Sequence, residues 1–222
     1  MAKNKKNGMA VEAVEEVSLV QKNLRKIVIC VGAVVAIVVA VVLWITYAGN
    51  RNQKAAEALY PSEQLFQQGQ YEKALNGDGQ QVLGLIEVAK QYGSTKAGNV
   101  AKLYAGLAYA QLGNLEEAEK YLKDFDTKGD EMISPAAIGA LGNVYAQMEQ
   151  NDKAVETLVK AAKKAGNVVL SPLFLVQAGE ILEAEGKADE ALKLYEEVKA
   201  HYAASQQGQE IDKYIERVKV GK

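Results

Sequence analysis

The sequence has little of what most enzyme chemistry needs. Among 222 residues there are one cysteine, one histidine, one tryptophan and three prolines. Cys30 lies inside an apolar run and has no partner for a disulfide. His201 has no neighbouring His or Cys, so a zinc site or a His-based triad is not expected. No glycine-rich phosphate loop is present. Gly77-x-Gly79 lacks a third glycine or a Lys-Ser/Thr, and Gly93-Ser94-Thr95-Lys96 follows no strand pattern. The Asn76-Gly77-Asp78-Gly79 stretch has too few spaced oxygens for a calcium loop and reads as a tight turn. The acids fall on solvated helix faces. The sequence therefore predicts no catalytic residue, no metal and no cofactor.

The scarcity of proline, beside abundant Ala, Leu, Glu, Lys and Gln, predicts helices. The net charge of −2 conceals an asymmetry: residues 1–26 carry +3, residues 48–222 carry −5, and residues 27–47 carry none. An acidic main domain argues against nucleic-acid binding, which needs a basic surface.

Residues 27–47, IVICVGAVVAIVVAVVLWITY, form an apolar run without charge. As a helix it is about 31 Å long, matching a bilayer core of about 30 Å. Trp44 and Tyr47 stand where an interfacial aromatic belt forms. The expectation is an uncleaved membrane anchor. A cleaved signal peptide has a shorter apolar stretch and a small-x-small site, which residues 46–50 match poorly. A buried core helix is the other alternative. Lys22, Arg25 and Lys26 flank the N-terminal end; Arg51 and Lys54 flank the other. The positive-inside rule then puts residues 1–26 in the cytoplasm and residues 48–222 outside it. Val11, Val14, Leu19 and Val20 are compatible with a short amphipathic helix on the inner leaflet, and equally with a disordered tail.

Three segments share one frame: residues 99–125, 135–162 and 172–200. Gly106, Gly142 and Gly179 correspond, as do Ala118, Ala154 and Ala191, at spacings of 36 and 37 residues. Each unit reads as two amphipathic helices around a polar turn, with the small residues facing each other across a close contact. Tyr109, Leu122, Phe125, Ile138, Leu141, Tyr145, Leu158, Leu175, Leu182, Tyr195 and Val198 are the candidate core. Ser134-Pro135 and Ser171-Pro172 read as an N-cap followed by a first-turn proline. The arrangement resembles the tetratricopeptide repeat: Gly106–Tyr109–Gly113–Ala118, Gly142–Tyr145–Ala154 with Glu149 at the turn glycine, and Gly179–Leu182–Gly186–Ala191. A degenerate fourth unit precedes these, with Pro61 expected to start a helix and residues 67–74 forming turn and second helix. Gly93-Ser94-Thr95 ends one helix and caps the next. Residues 210–219 place Ile211, Tyr214, Ile215 and Val218 on one face, as a capping helix would. The expected fold is all-α: a transmembrane helix, then a helical solenoid over residues 48–222 with seven to nine helices.

In such a solenoid the first helix of each repeat lines the concave face. Leu103, Leu107, Gln111, Gly139, Asn143, Gln147, Val176, Glu180 and Glu183 are the candidate groove positions. The carboxylate clamp of some tetratricopeptide proteins uses Lys, Arg and Asn there. Asn143 is present here and a basic residue is not, so a segment with apolar and basic residues suits this lining better. The layout of tail, anchor and acidic repeat domain resembles the bacterial ancillary SecYEG translocon subunit family. That resemblance implies an inner-membrane protein with a periplasmic repeat domain, contacting translocon subunits and exported or periplasmic proteins as a chaperone-like scaffold. The other reading is a self-associating envelope scaffold for cell-wall or division machinery, which would be a homo-oligomer.

Overall fold

The computed structural model describes residues 2–128 and 130–221, with the backbone alone for residues 2–22. Ten helices are present among the described residues, and an isolated bridge between Gly77 and Leu83 is the only extended pairing. The chain divides into two units, Met1–Asn50 and Arg51–Lys222.

The first unit is helical and belongs to α1 (Ala2–Gln67). Its most apolar window has a mean hydropathy of 3.2 and none of it is buried. Large apolar side chains are exposed on every side of the helix, from Ile27 and Val28 through Val35 and Val38 to Leu43 and Trp44. A helix folded against a water-soluble core shows one apolar stripe, not a full circumference. The buried-core alternative therefore fails, and a membrane anchor or a signal sequence remains.

The second unit starts within α1. It continues through α2 (Tyr71–Asn76), α3 (Leu85–Tyr92), α4 (Lys96–Gln111), α5 (Leu115–Asp124), α6 (Ile133–Gln147), α7 (Asn151–Ala165), α8 (Leu170–Ala184), α9 (Ala188–His201) and α10 (Gln206–Val220). Helices α4–α5, α6–α7 and α8–α9 are the three repeats. Pro61 does not start a helix; it lies inside α1. Helix α10 covers the end as expected, burying Ile211, Ile215 and Val218 against the last repeat.

Four turns share one geometry. Gly69, Gly113, Glu149 and Gly186 have φ of 74°, 76°, 58° and 74°. Each donates its N–H to the carbonyl three residues back, and the next residue donates to the one five back, as with Gly113→Ala110 and Asn114→Tyr109. This double bond closes a helix C-terminus and needs a left-handed residue. Glu149 is the one residue with a side chain in this position, and strain there costs about 1 kcal/mol. We predict that Glu149→Gly raises stability by about 0.5–1 kcal/mol while Gly113→Ala lowers it by a similar amount, as read from thermal denaturation midpoints.

The repeat glycines do pack closely, but chiefly against large side chains; only at Gly106 is the frame alanine among the nearest neighbours, through the Ala118 carbonyl at 3.3 Å. A Cβ on Gly106 would meet the Leu122 side chain at 2.6 Å, one on Gly142 the Leu158 side chain at 2.8 Å, and one on Gly179 the Tyr195 ring at 2.4 Å. The partner is thus the large residue one turn beyond each alanine. Ala118, Ala154 and Ala191 are themselves fully buried.

The serine–proline pairs are not caps. Helix α6 starts at Ile133 and α8 at Leu170, one residue before each serine. Asp130 Oδ1 accepts from the N–H groups of Met132 and Ile133, and Asn167 Oδ1 from those of Val169 and Leu170. Pro135 and Pro172 fall at the third helical position, where no intrahelical N–H bond is lost. Ser171 is buried and donates to the Ala162 carbonyl at 2.8 Å. Thr95 does cap α4, accepting from the Gly98 N–H at 3.0 Å.

Candidate functional site

Helices α4, α6 and α8 touch in succession, so the first helices of the repeats form an inner row. Among the described residues α5, α7 and α9 do not touch one another. The second helices splay apart, which curves the solenoid and sets the inner row on its concave side.

The inner face is only partly open. Leu103 is buried with Leu122, Ala137 and Val144. Val176 is buried in the core of the last two repeats. Gly139 is covered by the Phe174 ring of α8, which lies 2.2 Å from where its Cβ would stand. These three positions pack against the neighbouring helix. Gln111, Gln147 and Glu180 are exposed, and Leu107 and Asn143 are half-buried. They leave a narrow polar face with one apolar member.

Glu183 is engaged within the fold. The Arg217 guanidinium of α10 donates to its two oxygens at 2.6 and 2.7 Å, and the Tyr195 hydroxyl donates to Oε2 at 3.1 Å. A fork of this kind is among the stronger charge-assisted pairs. Arg217 holds the Glu183 carboxyl below the usual glutamate range, with the Tyr195 hydrogen bond acting in the same direction. Burial, then the nearby Glu183, pushes the Tyr195 phenol up. A carboxylate lowered in the folded state adds stability above its ordinary range and loses it as pH falls through its folded value. We therefore expect Glu183→Gln to lower the denaturation midpoint at pH 7, with the difference from the native chain closing as pH is brought below the glutamate range. A difference that does not change with pH would refute this role for the pair.

A cleft opens on the outer side. It lies between α5 and α7, floored by α6, and has a volume of about 540 Å³. Ile138, Leu141 and Tyr145 form the floor. Lys123 stands on the α5 wall, with Lys153, Thr157 and Lys160 on the α7 wall. Those three α7 residues share one helix face by their spacing. Lys123 and Lys153 each place an ammonium 5.8 and 5.6 Å from the Tyr145 ring centroid. Lys123 also pairs with Glu119, and this bond lowers the Glu119 carboxyl below its usual range. Lys153 also donates to the Gln150 side-chain oxygen. A repeat frame read on apolar positions alone does not reveal this cleft; the lysines do, once each repeat's charges are set side by side.

The Asn76–Gly79 turn carries no ligand geometry. Asp78 Oδ1 accepts the N–H groups of Gln80, Gln81 and Val82 at 2.8–2.9 Å, which closes the loop and lowers its carboxyl. Among the described residues no group of His, Cys, Asp and Glu is arranged to hold a metal ion.

Comparison with known proteins agrees with this architecture. The model of the tetratricopeptide repeat-like domain family matches residues 20–219. Two crystal structures of a kinesin-light-chain-type protein from Podosopora anserina, with nearly identical TPR-like repeats, are similar. One, a single-substitution variant, has a TM-score of 0.58 at 17% identity, covering 75% of this chain and 85% of that one. The other has a TM-score of 0.58 at 16% identity, covering 75% and 86%. At this identity the likeness shows the fold alone. No curated protein matches the sequence.

Proposed function

Because the chain belongs to the tetratricopeptide repeat-like domain family, we propose that it is a protein-binding scaffold tethered to a membrane by residues 27–47. One observation supports the tether most directly: within α1, residues 27–47 are uncharged and expose apolar side chains on every side. A tether confines the repeat domain to a thin layer beside the bilayer and raises its effective concentration for partners there. The repeat fold is typically a non-catalytic interaction scaffold, and this reading takes the repeats as binding surface.

The more specific reading places the anchor in a bacterial inner membrane with residues 1–26 in the cytoplasm and the repeat domain in the periplasm. Lys22, Arg25 and Lys26 support that orientation. The partners are then translocon subunits and exported or periplasmic proteins. In this reading Leu107, Gln111, Asn143, Gln147 and Glu180 make the inner contact surface, while Leu103, Val176 and Glu183 shape it from within. Photo-crosslinkers placed at Leu107 and Asn143 in intact cells are expected to trap those partners. Recovery of neither translocon subunits nor exported proteins would remove the export reading. Protease accessibility of the repeat domain in sealed vesicles tests the orientation separately.

A further inference from the structure

The second helices of the three repeats carry charge in matching places. Counting from the invariant-frame alanines Ala118, Ala154 and Ala191, α5 has Glu117, Lys120 and Asp124, and α9 has Glu190, Lys193 and Glu197. Helix α7 reverses every sign at those positions: Lys153, Glu156 and Lys160. The middle helix is thus base–acid–base between two helices that are acid–base–acid.

The reversal coincides with the α5–α7 cleft. Lys153 and Lys160 line it, and Lys123 reaches it from α5. Lys153 and Lys160 make no ion pair with a carboxylate among the described residues. Thr127 and Thr157 add hydroxyls to the lining, and Glu156 is its one carboxylate. The floor beneath is apolar, with Ile138 and Tyr145 buried and Leu141 half-buried. The α7 stripe thus sets two ammonium groups that make no ion pair among the described residues beside a hollow of about 540 Å³.

From this charge complementarity we propose that the outer α5–α6–α7 cleft binds an extended segment of a partner protein in which carboxylates flank an apolar side chain. The apolar side chain enters the hollow over Ile138, Leu141 and Tyr145. The flanking carboxylates meet Lys153 and Lys160, while Lys123, held by Glu119, stands on the opposite wall. Volume supports the assignment: about 540 Å³ falls within the range of roughly 300–1,000 Å³ seen for sites that enclose small ligands and side chains. This site is separate from the inner face and rests on the reading of the chain as a protein-binding module.

The test uses the full chain reconstituted in lipid nanodiscs and two fluorescein-labelled peptides. One alternates glutamate with leucine; the other has glutamine for glutamate. Fluorescence anisotropy is expected to show the glutamate peptide binding about tenfold or more tightly than the glutamine peptide, a preference that fades at high salt. K153E/K160E, on exposed positions of α7, is expected to abolish the preference without changing the denaturation midpoint. Equal binding of the two peptides, or an unchanged preference in the variant, overturns the proposal. Concentration-dependent self-association that K153E/K160E removes also overturns it, in favour of a second copy as the occupant. Partners crosslinked from Leu107 without a glutamate preference leave the scaffold reading standing and sink this one. A glutamate preference without crosslinked export partners does the reverse to the export reading.

Discussion

Tyr195→Ala is expected to lower the stability of the repeat domain by about 3–5 kcal/mol, the usual range for truncating a large buried ring. Tyr195 is fully buried. Its ring occupies the space that Gly179 leaves open on α8, and its centroid lies 5.4 Å from that of Tyr214 on α10. Its hydroxyl supports the Glu183 carboxylate that grips Arg217. One side chain therefore joins α8, α9 and α10. Truncation opens a cavity and removes a donor from Glu183 at the same time. Tyr195→Phe keeps the ring and loses only the hydrogen bond, at about 1 kcal/mol. The predicted ordering is readable from urea denaturation, and amide exchange should accelerate first in α9 and α10, because a repeat array loses its ends most readily. An alanine variant no weaker than the phenylalanine variant would show that the site collapses freely, and the account of α10 as a locked cap would fall.

The repeat frame was legible because it is a packing rule written in small residues. Gly106, Gly142 and Gly179 recur at fixed spacing since each sits under a large side chain of the paired helix. The frame put Glu149 where a turn glycine is expected, and the structure shows that it takes the left-handed conformation of the other three turns. Helix starts were less legible. Ser134-Pro135 and Ser171-Pro172 satisfy the local rule for a cap, yet Asp130 and Asn167 bind the free N–H groups first. Local chemistry offered two solutions and the chain took the earlier one. Tyr92-x-x-Thr95-x-x-Gly98 and Tyr202-x-x-Ser205-x-x-Gly208 are a second repeated device, spelled in polar residues and not in apolar periodicity. In each, the hydroxyl caps the next helix and the glycine lets its backbone approach the tyrosine carbonyl.

The site was the least legible part. Frame position tells which helix face points inward, but not how closely the next helix covers it. Leu103, Gly139 and Val176 point inward and are covered; Gln111 and Gln147 lie farther along and stay open. Arg217 is 34 residues from Glu183 in sequence, so no pattern along α8 announces their pairing. The α7 lysines were visible from the start as charges. Their meaning needed the splay of α5 from α7, which is a property of the curved array and not of any one repeat.

Placing arginine at Val34 and Val38 is expected to release the chain from the membrane. Each arginine near the middle of a spanning helix costs about 3 kcal/mol, so the pair costs about 6 kcal/mol, or roughly four decades in partition. Both valines are exposed in a helix that nothing in its own unit covers, so no buried packing is disturbed by the change. After alkaline extraction the native chain should stay with the lipid and the V34R/V38R chain should not. Intact mass then separates the two remaining readings of this helix. An anchor predicts that residues 27–47 are still attached to the repeat domain in the membrane fraction. A signal sequence predicts a repeat domain that begins beyond Tyr47 and is soluble even without the substitutions. The anchor reading has a physical reason behind it: the uncharged length matches the bilayer core, and the aromatic pair Trp44 and Tyr47 stands at one end, where an interface holds it. Processing at this point would discard that end and leave the repeat domain free to diffuse, which removes the local concentration on which its proposed work depends.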